Sequence, residues 1–220
     1  MDYKQLKEQI AQLARMMWQR GWVAANDGNI SVKVGEGKFL ATQTGICKAF
    51  FAPENVGLID ADMNVLDAAE GFKPSSEIKM HLRCYAERPD VGAVVHAHPT
   101  AATSFACAGL SLDDECMIST VLETGKAPLV PYATPSTEEV PNAIAPFLAE
   151  HDVMLLENHG ALAVGKDLIT AFCKMDTLEH QAQVSINARL LGGVKNMKAE
   201  DVKRLVSMRE KYGVSVGAHR

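Results

Sequence analysis

The feature that most constrains the fold is the segment DVMLLENHGALAVG, residues 152–165, in which two short apolar runs stand only a few residues apart. Asn158, His159 and Gly160 between the runs are typical of a tight turn. Strands joined by so short a connection pair antiparallel, because a parallel pair needs a crossover of about a dozen residues or more. We therefore expect a β-hairpin here and a sheet that is at least partly antiparallel.

Along the rest of the chain, helical and strand patterns alternate irregularly. Apolar residues at helical spacing predict a first helix that Gly21 ends: Leu6, Ile10, Leu13, Ala14 and Met17. Further helices are predicted at 77–87, after Pro99, within STEEVPNAIAPFLAE, at 167–191 and at 199–211. Short strands are predicted in DGNISVKVGEGKFLAT, VGLID, MNVLDA, VGAVVHAH and APLVPYA. This order predicts a three-layer α/β/α fold with a mostly antiparallel or mixed central sheet, as one domain over residues 1–220.

Charge and cysteine content limit the partners and the location that we expect. The chain has 22 basic and 27 acidic residues, and its net charge of −5 argues against a general nucleic-acid-binding surface. Five scattered cysteines without a CxxC pair fit reduced thiols in a cytoplasm: Cys47, Cys84, Cys107, Cys116 and Cys173. Charges interrupt the N-terminal segment MDYKQLKEQIAQLARMMWQRGW, so we expect neither a signal peptide nor a membrane span there. These observations predict a cytoplasmic protein with no nucleic-acid or membrane partner.

Two histidines, His96 and His98, follow an apolar run in VVHAHPT. Side chains of residues i and i+2 lie on the same face of a strand, so the two imidazoles are expected to be neighbours. Such a pair can hold a metal or form structural hydrogen bonds. A third histidine, His159, follows the apolar run of the hairpin; alone it fits a structural turn residue. Together, three histidines at strand ends are suited to a zinc or similar divalent ion with an open position for substrate.

Three loops rich in small donors form a second candidate site. In KPSSE, Ser75 and Ser76 stand where a helix is predicted to begin, a position suited to a phosphate or carboxylate. A serine N-cap supported by Glu77 is the simpler interpretation of this motif. With GNIS (residues 28–31) and TQTG (residues 42–45), the two serines can form a cradle of neutral donors for an anion, hereafter the anion cradle. Lys48 is near enough in sequence to contribute to it.

The motifs GNIS, TQTG, PSSE, HAHP and ENHG occur in the order and approximate spacing of the class II aldolase/adducin-head family, and the chain resembles that family from the first helix to about Tyr212. The resemblance implies one divalent metal per subunit, usually Zn²⁺ with Mn²⁺ or Co²⁺ as other options, held by His96, His98 and His159. It implies phosphate binding by the residues of the anion cradle: Gly28, Asn29, Thr44, Gly45, Ser75 and Ser76.

The resemblance also implies the acid–base groups and the assembly. Glu77 is similar to the family's general acid/base, which also touches the metal in the resting enzyme, and we expect a pKa raised towards neutral in a closed pocket. Tyr212 in KYG matches a tyrosine that reaches an active site from a mobile C-terminal tail; a surface tyrosine that ends a helix is the alternative. Family members are typically four-fold symmetric homotetramers with active sites between subunits.

The reaction implied is cleavage of a ketose 1-phosphate, such as L-fuculose 1-phosphate or a related deoxyketose or pentulose 1-phosphate, to dihydroxyacetone phosphate and an aldehyde. Other reactions of the family are alternatives. The pentulose-phosphate 4-epimerases tend to carry Asp at the position of Glu77, and the sugar-acid phosphate decarboxylases vary the PSSE motif. Methylthioribulose-phosphate dehydratases carry a glutamate near Glu115. Adducin-like scaffolds lack the metal histidines, which are present here.

Two departures from the aldolase pattern concern the aldehyde half of the substrate. Cys116 in DECMIST falls at or next to the position of a catalytic tyrosine, and Pro135 after PYAT replaces a substrate-side phenylalanine. Both departures favour an aldehyde that is smaller or deoxygenated, such as the one released from a 5-deoxypentulose phosphate.

Overall fold

Eight strands form one sheet in the computed structural model, which describes residues 3–212. They are β1 (Asn29–Gly35), β2 (Lys38–Thr42), β3 (Val56–Asp60), β4 (Val65–Asp67), β5 (Ala93–Ala97), β6 (Leu129–Val130), β7 (Val153–Leu156) and β8 (Gly160–Gly165). Their order across the sheet is β4-β3-β2-β1-β5-β8-β7-β6. All neighbours pair antiparallel except β6 and β7, which are parallel. The predicted hairpin and the mostly antiparallel, mixed sheet are confirmed.

Helices cover both faces of the sheet. They are α1 (Tyr3–Gln19), α2 (Ile78–Glu87), α3 (Thr100–Cys107), α4 (Ile118–Glu123), α5 (Glu139–Leu148), α6 (Leu168–Leu190) and α7 (Ala199–Met208). Buried residues of α1, α3 and α6 form one core with the sheet, and those of α2 and α5 form a second core on the opposite face. The three-layer α/β/α prediction is therefore confirmed. No helix within residues 3–212 is both long and apolar enough to cross a membrane.

The structure differs from the sequence prediction in three places. Helix α4 was not predicted, because its six residues are too few to show a helical periodicity. Thr120 and Val121 of this helix are buried by packing against neighbouring helices. The strand predicted in APLVPYA is reduced to β6, because Pro128 and Pro131 on either side have no backbone N–H to donate. Helix α2 begins after Glu77, so neither serine of PSSE is the N-cap residue.

Strand register brings the ends of three strands to one edge of the core. Asn29, the first residue of β1, is paired with His96 near the end of β5. Ala97 of β5 is paired with Ala161, just after the turn that carries His159. Val94 belongs to the core beneath α2, whereas Val95 belongs to the opposite core, so strand alternation directs His96 towards the start of α2.

The loop after β2 and the segment before α2 lie side by side. An isolated antiparallel bridge joins Gln43 to Pro74. The backbone N–H of Ser75 donates to the carbonyl of Thr42 at 3.2 Å, and that of Thr44 donates to the carbonyl of Lys73 at 3.0 Å. The motifs TQTG (residues 42–45) and PSSE (residues 74–77) are far apart in sequence but adjacent in the fold.

Candidate metal centre and phosphate pocket

His96, His98 and His159 meet at the edge where β5 ends and the hairpin turns. One ring nitrogen from each lies within 4.8 Å of the others. The ring centroids are 4.7 to 5.1 Å apart, and His96 is fully buried. Strand alternation accounts for the direction of the His96 side chain, and the turn of the hairpin accounts for the position of His159. Three imidazoles this close can hold one cation.

A hydrogen bond and a close carboxylate contact orient two of the imidazoles. The Nδ1 atom of His96 lies 2.9 Å from the carbonyl oxygen of Ala161, which can only accept, so Nδ1 carries the hydrogen and Nε2 keeps its lone pair. The Nδ1 atom of His98 lies 3.4 Å from a carboxylate oxygen of Asp27. Outer partners of this kind are the usual support of metal-bound histidines.

Burial keeps these two imidazoles neutral. Burial lowers the pKa of His96 to about 3, and it also lowers the pKa of His98. A metal ligand must offer a lone pair, so a neutral imidazole is the form that binds a cation. The spacing of the three histidines, together with the neutral state of His96 and His98, thus fits a divalent metal.

Two glycines allow the histidines to approach so closely. A Cβ atom on Gly28, which has φ of +73°, would lie 3.0 Å from the carbonyl oxygen of His96 and 2.6 Å from Cγ1 of Val23. A Cβ atom on Gly160 would lie 2.5 Å from Cδ2 of His98 and 2.5 Å from the carbonyl oxygen of Ala97. Both glycines are needed because a side chain would displace the segment that carries a histidine.

Glu77 lies between the histidines and the anion cradle. Its Oε1 atom is 3.0 Å from Nε2 of His159, and its Oε2 atom is 3.6 Å from Nε2 of His96. The side-chain amide of Asn29 donates to Oε2 at 2.7 Å. The carboxyl group therefore contacts two of the three histidines as well as one residue of the cradle.

The expectation that the pKa of Glu77 is raised is wrong for this structure. Burial does oppose the charge of the carboxylate. The His96 and His159 imidazoles and the hydrogen bonds from His159 and Asn29 outweigh burial, and they hold the pKa of Glu77 below its usual range. Glu77 is thus ionised at neutral pH, which is the protonation state of a general base, but the lowered pKa makes it a weaker base than a free glutamate.

A cavity of about 240 Å³ opens beside Glu77. Its walls include eight of the residues predicted to form the site: Gly28, Asn29, Thr44, Ser75, Ser76, Glu77, His98 and His159. Gly45 is not among the lining residues, and His96 lies behind them. No lysine or arginine lines this cavity in the part of the chain that the structure describes. An anion in this cavity would therefore be contacted by no lysine or arginine of the described lining.

A family model described as the class II aldolase and adducin N-terminal domain matches residues 8–186. The chain belongs to this family. Its members are metal-dependent lyases that act on small phosphorylated sugars, and the chain is an enzyme of this class.

Two reactions are named among the similar proteins. The 3-oxo-tetronate 4-phosphate decarboxylase of Escherichia coli K12 is 34% identical over 184 residues, covering 81% of this chain and 85% of that protein. The L-fuculose phosphate aldolase of Methanocaldococcus jannaschii is 31% identical over 183 residues, covering 82% and 95%. A solved structure of L-fuculose 1-phosphate aldolase is similar with a TM-score of 0.84 and 26% identity, covering 94% of this chain and 95% of that one.

The cavity of this class II aldolase family member has lining residues that were not predicted. Asp27 supports His98, and its only sequence signal is its place beside Gly28 in NDGN. Ser136 has φ of +66°, and its hydroxyl lies 2.7 Å from that of Ser76. Because Ser136 is 60 residues from Ser76, the contact depends on tertiary structure and could not be found from a local motif.

Other residues singled out in the sequence lie away from the cavity. Tyr212 ends a short 3₁₀ helix and is exposed, and it does not line the cavity of its own chain. Glu115 contacts Asn196 and Met197 through its backbone, and neither Glu115 nor Cys116 lines the cavity. Pro135 does line it, beside Ser136. Tyr212, Glu115 and Cys116 are therefore not brought to the cavity of their own chain.

Proposed function

We propose that the chain is a metal-dependent aldolase that cleaves a ketose 1-phosphate, L-fuculose 1-phosphate or a related deoxyketose or pentulose 1-phosphate, into dihydroxyacetone phosphate and an aldehyde. The observation that carries the proposal is the place of Glu77, hydrogen-bonded to Asn29 on the cradle side and to His159 on the metal side. A carboxylate between the cradle and the metal ligands can transfer a proton at the reacting carbon, because the substrate that carries this carbon is held in the cradle by its phosphate.

Each group in the cavity has a distinct task in this reaction. His96, His98 and His159 hold the metal, which when bound supplies a Lewis acid for negative charge on the substrate oxygens. In the direction of synthesis, the Glu77 carboxylate takes a proton from C3 of dihydroxyacetone phosphate, and cleavage reverses this transfer.

The anion cradle acts at a distance from the bond that breaks. Ser75, Ser76 and Thr44 offer hydroxyl and backbone donors to the phosphate. Binding energy gained there orients the ketose so that C3 faces Glu77. A substrate without the phosphate is expected to lose turnover as well as affinity, because the cradle then contributes no orientation.

Decarboxylation of a 3-oxo-tetronate 4-phosphate is a second candidate, favoured by the relatives at 34% identity that carry this name. Loss of CO₂ from that substrate leaves the same fragment as aldol cleavage, a dihydroxyacetone phosphate carbanion that must gain a proton. One site can therefore serve either reaction. The charge of the cavity favours the aldolase: Asp27 and Glu77 line it without a lysine or arginine among the described residues, so the additional carboxylate of a tetronate would face two carboxylates.

A direct comparison of substrates tests the proposal. The metal-loaded enzyme is supplied with L-fuculose 1-phosphate, a 5-deoxypentulose 1-phosphate and 3-oxo-tetronate 4-phosphate, and release of aldehyde or CO₂ is measured. We expect one of the ketose 1-phosphates to give a kcat/KM at least about tenfold above that of the tetronate. Release of CO₂ without any cleavage of a ketose 1-phosphate would make the decarboxylase the correct assignment.

The metal, the assembly and the location complete the proposal. Three imidazole ligands with one carboxylate nearby suit Zn²⁺, with Mn²⁺ and Co²⁺ as alternatives. We place the enzyme in the cytoplasm, in keeping with its free thiols, as a homotetramer with active sites between subunits.

Tyr212, exposed in one subunit, would then assist protonation in a neighbour's site. Tyr212→Phe is expected to lower turnover, or to alter its stereochemical outcome, with metal content unchanged. Unaltered kinetics and stereochemistry would remove Tyr212 from the site.

A further inference from the structure

Lys48 is a buried cation without a carboxylate partner. Its side chain is 1% exposed. Its Nζ atom donates to the carbonyl oxygens of Asn26, at 3.2 Å, and Ile46, at 3.3 Å. Within residues 3–212, no carboxylate oxygen forms an ion pair with it at 4.0 Å or less. Lysine is almost never fully buried unless it is paired, so this arrangement requires an explanation.

The side chain remains a cation at neutral pH despite its burial. Burial lowers the pKa of Lys48 to about 8, while Asp27 and Glu77 act in the opposite direction. The protein therefore keeps a positive charge inside the fold at a cost in stability. Hydrogen bonds to two carbonyls do not require that charge, because a neutral donor can make them. The Phe51 ring, whose centroid lies 5.2 Å from Nζ, does favour a cation, but only by about 1–2 kcal/mol.

The two carbonyls belong to two of the three loops that form the anion cradle. Asn26 precedes Gly28 in the loop that enters β1, and Ile46 follows Gly45 in the loop that leaves β2. Asn26 also lines the cavity, whereas Lys48 does not. The Lys48 ammonium group thus lies behind the wall of a cavity that has no cationic lining residue among those described.

We propose that Lys48 is the positive charge of the anion cradle, acting through the wall on a dianionic group without touching it. This inference rests on the proposed function, in which the cradle holds the phosphate of the substrate. The neutral donors of the cradle orient the anionic group, and the Lys48 charge attracts that group over a longer range. Lys48 is a positioning residue for the substrate and takes no part in proton transfer.

The charge of the ligand distinguishes this role from a purely structural one. An electrostatic effect through space scales with ligand charge, so it is twice as large in free energy for a dianion as for a monoanion. Distortion of the loops would weaken both ligands by a similar factor. Inorganic sulfate and methyl sulfate are suitable probes, because they share the sulfate group and do not titrate near neutral pH.

Binding of both probes to the metal-loaded enzyme is measured by calorimetry for wild type, Lys48→Met and Lys48→Gln. We expect Lys48→Met to weaken sulfate roughly tenfold, about 1.4 kcal/mol, and methyl sulfate roughly threefold. Lys48→Gln keeps a donor for the carbonyls and should show the same ratio between the loss of sulfate affinity and the loss of methyl sulfate affinity. Lys48→Arg keeps the charge and should retain most of the sulfate affinity, and Lys203→Met on the exposed face of α7 is the neutral control.

Failure of this inference can be told apart from failure of the proposed function. If Ser75→Ala weakens sulfate but Lys48→Met does not, the cradle is correct and the role of Lys48 is wrong. Equal losses for sulfate and methyl sulfate in both charge-removing variants would also reject the role, because they indicate distortion. If wild type binds no sulfate, or Ser75→Ala has no effect, the cradle itself is misassigned and the role of Lys48 is rejected with it.

Discussion

The Nε2 atoms of His96 and His98 lie 3.2 Å apart. The Nδ1 atom of His96 donates to the Ala161 carbonyl, so its Nε2 atom holds a lone pair that faces His98. Two nitrogens this close need a hydrogen or a cation between them, because two lone pairs at this separation repel. A hydrogen on Nε2 of His98 meets this need when no metal is bound, and a metal meets it when His98 carries its hydrogen on Nδ1, which faces Asp27. The pair is therefore arranged to bind a metal together with His159.

Removal of one of these histidines should abolish metal binding. His98→Ala leaves two imidazoles, and a catalytic zinc site with two histidines and no third strong ligand is too weak to retain its ion. We expect metal content to fall to background and activity with it, as measured by elemental analysis and turnover. His180→Ala, on the exposed side of α6, should retain both. Full metal occupancy in the His98 variant would reject the assignment.

The close contact between Gly160 and His98 predicts a steric route to the same loss. Gly160→Ala places a Cβ atom 2.5 Å from Cδ2 of His98 and from the Ala97 carbonyl, so the hairpin or the imidazole must move. We expect metal affinity to fall at least tenfold and the unfolding free energy to fall by roughly 1–3 kcal/mol. Gly35→Ala is the matched control, because a Cβ atom there meets nothing within 4 Å. Equal metal affinities for the two variants would show that the contact does not position His98.

Much of the fold and of the histidine site could be predicted because each depends on local pattern. The turn in ENHG requires an antiparallel hairpin, and strand alternation makes neighbours of the imidazoles of His96 and His98. Motif order then brings Ser75 and Thr44 to the same cavity. These relationships need only short-range geometry or a known arrangement of motifs.

What could not be predicted depends on packing between distant segments. Asp27 supports His98 only because β1 pairs with β5 in one register, and Ser136 reaches Ser76 only through the loop after β6. Lys48 is near the cradle in sequence, but its side chain enters the interior instead of the cavity. The ionised state of Glu77 depends on partners that no local pattern identifies.

Burial of Lys48 predicts a specific dependence of stability on pH. Its pKa is about 8 in the folded protein and 10.5 as the ordinary value, so between these pH values the unfolded chain holds a proton that the folded protein has released. Stability rises with pH wherever the unfolded state binds more protons. Relative to Lys48→Met, wild type should therefore gain on the order of 2 kcal/mol of unfolding free energy between about pH 8 and pH 10.

Urea unfolding of the metal-loaded proteins at several pH values measures this difference. Taking wild type minus variant removes the contribution of all other titrating groups. Lys203→Met, exposed on α7, should show no such slope. A difference that is flat or that falls with pH would mean that Lys48 is not a desolvated cation in the folded protein.

Exchange of a C3 proton of dihydroxyacetone phosphate in deuterated water, without any aldehyde, tests the central claim most directly. The account predicts that the metal-loaded wild type exchanges one of the two C3 protons, because Glu77 takes only the proton that faces it. Glu77→Gln keeps the shape and much of the polarity but removes the base, so exchange should slow by roughly 10²–10⁴-fold while metal content is retained. The epimerase and dehydratase reactions do not require this exchange. A decarboxylase that forms the same carbanion can show it and is distinguished by the comparison of substrates. Absence of exchange in wild type, or undiminished exchange in Glu77→Gln, would contradict the account.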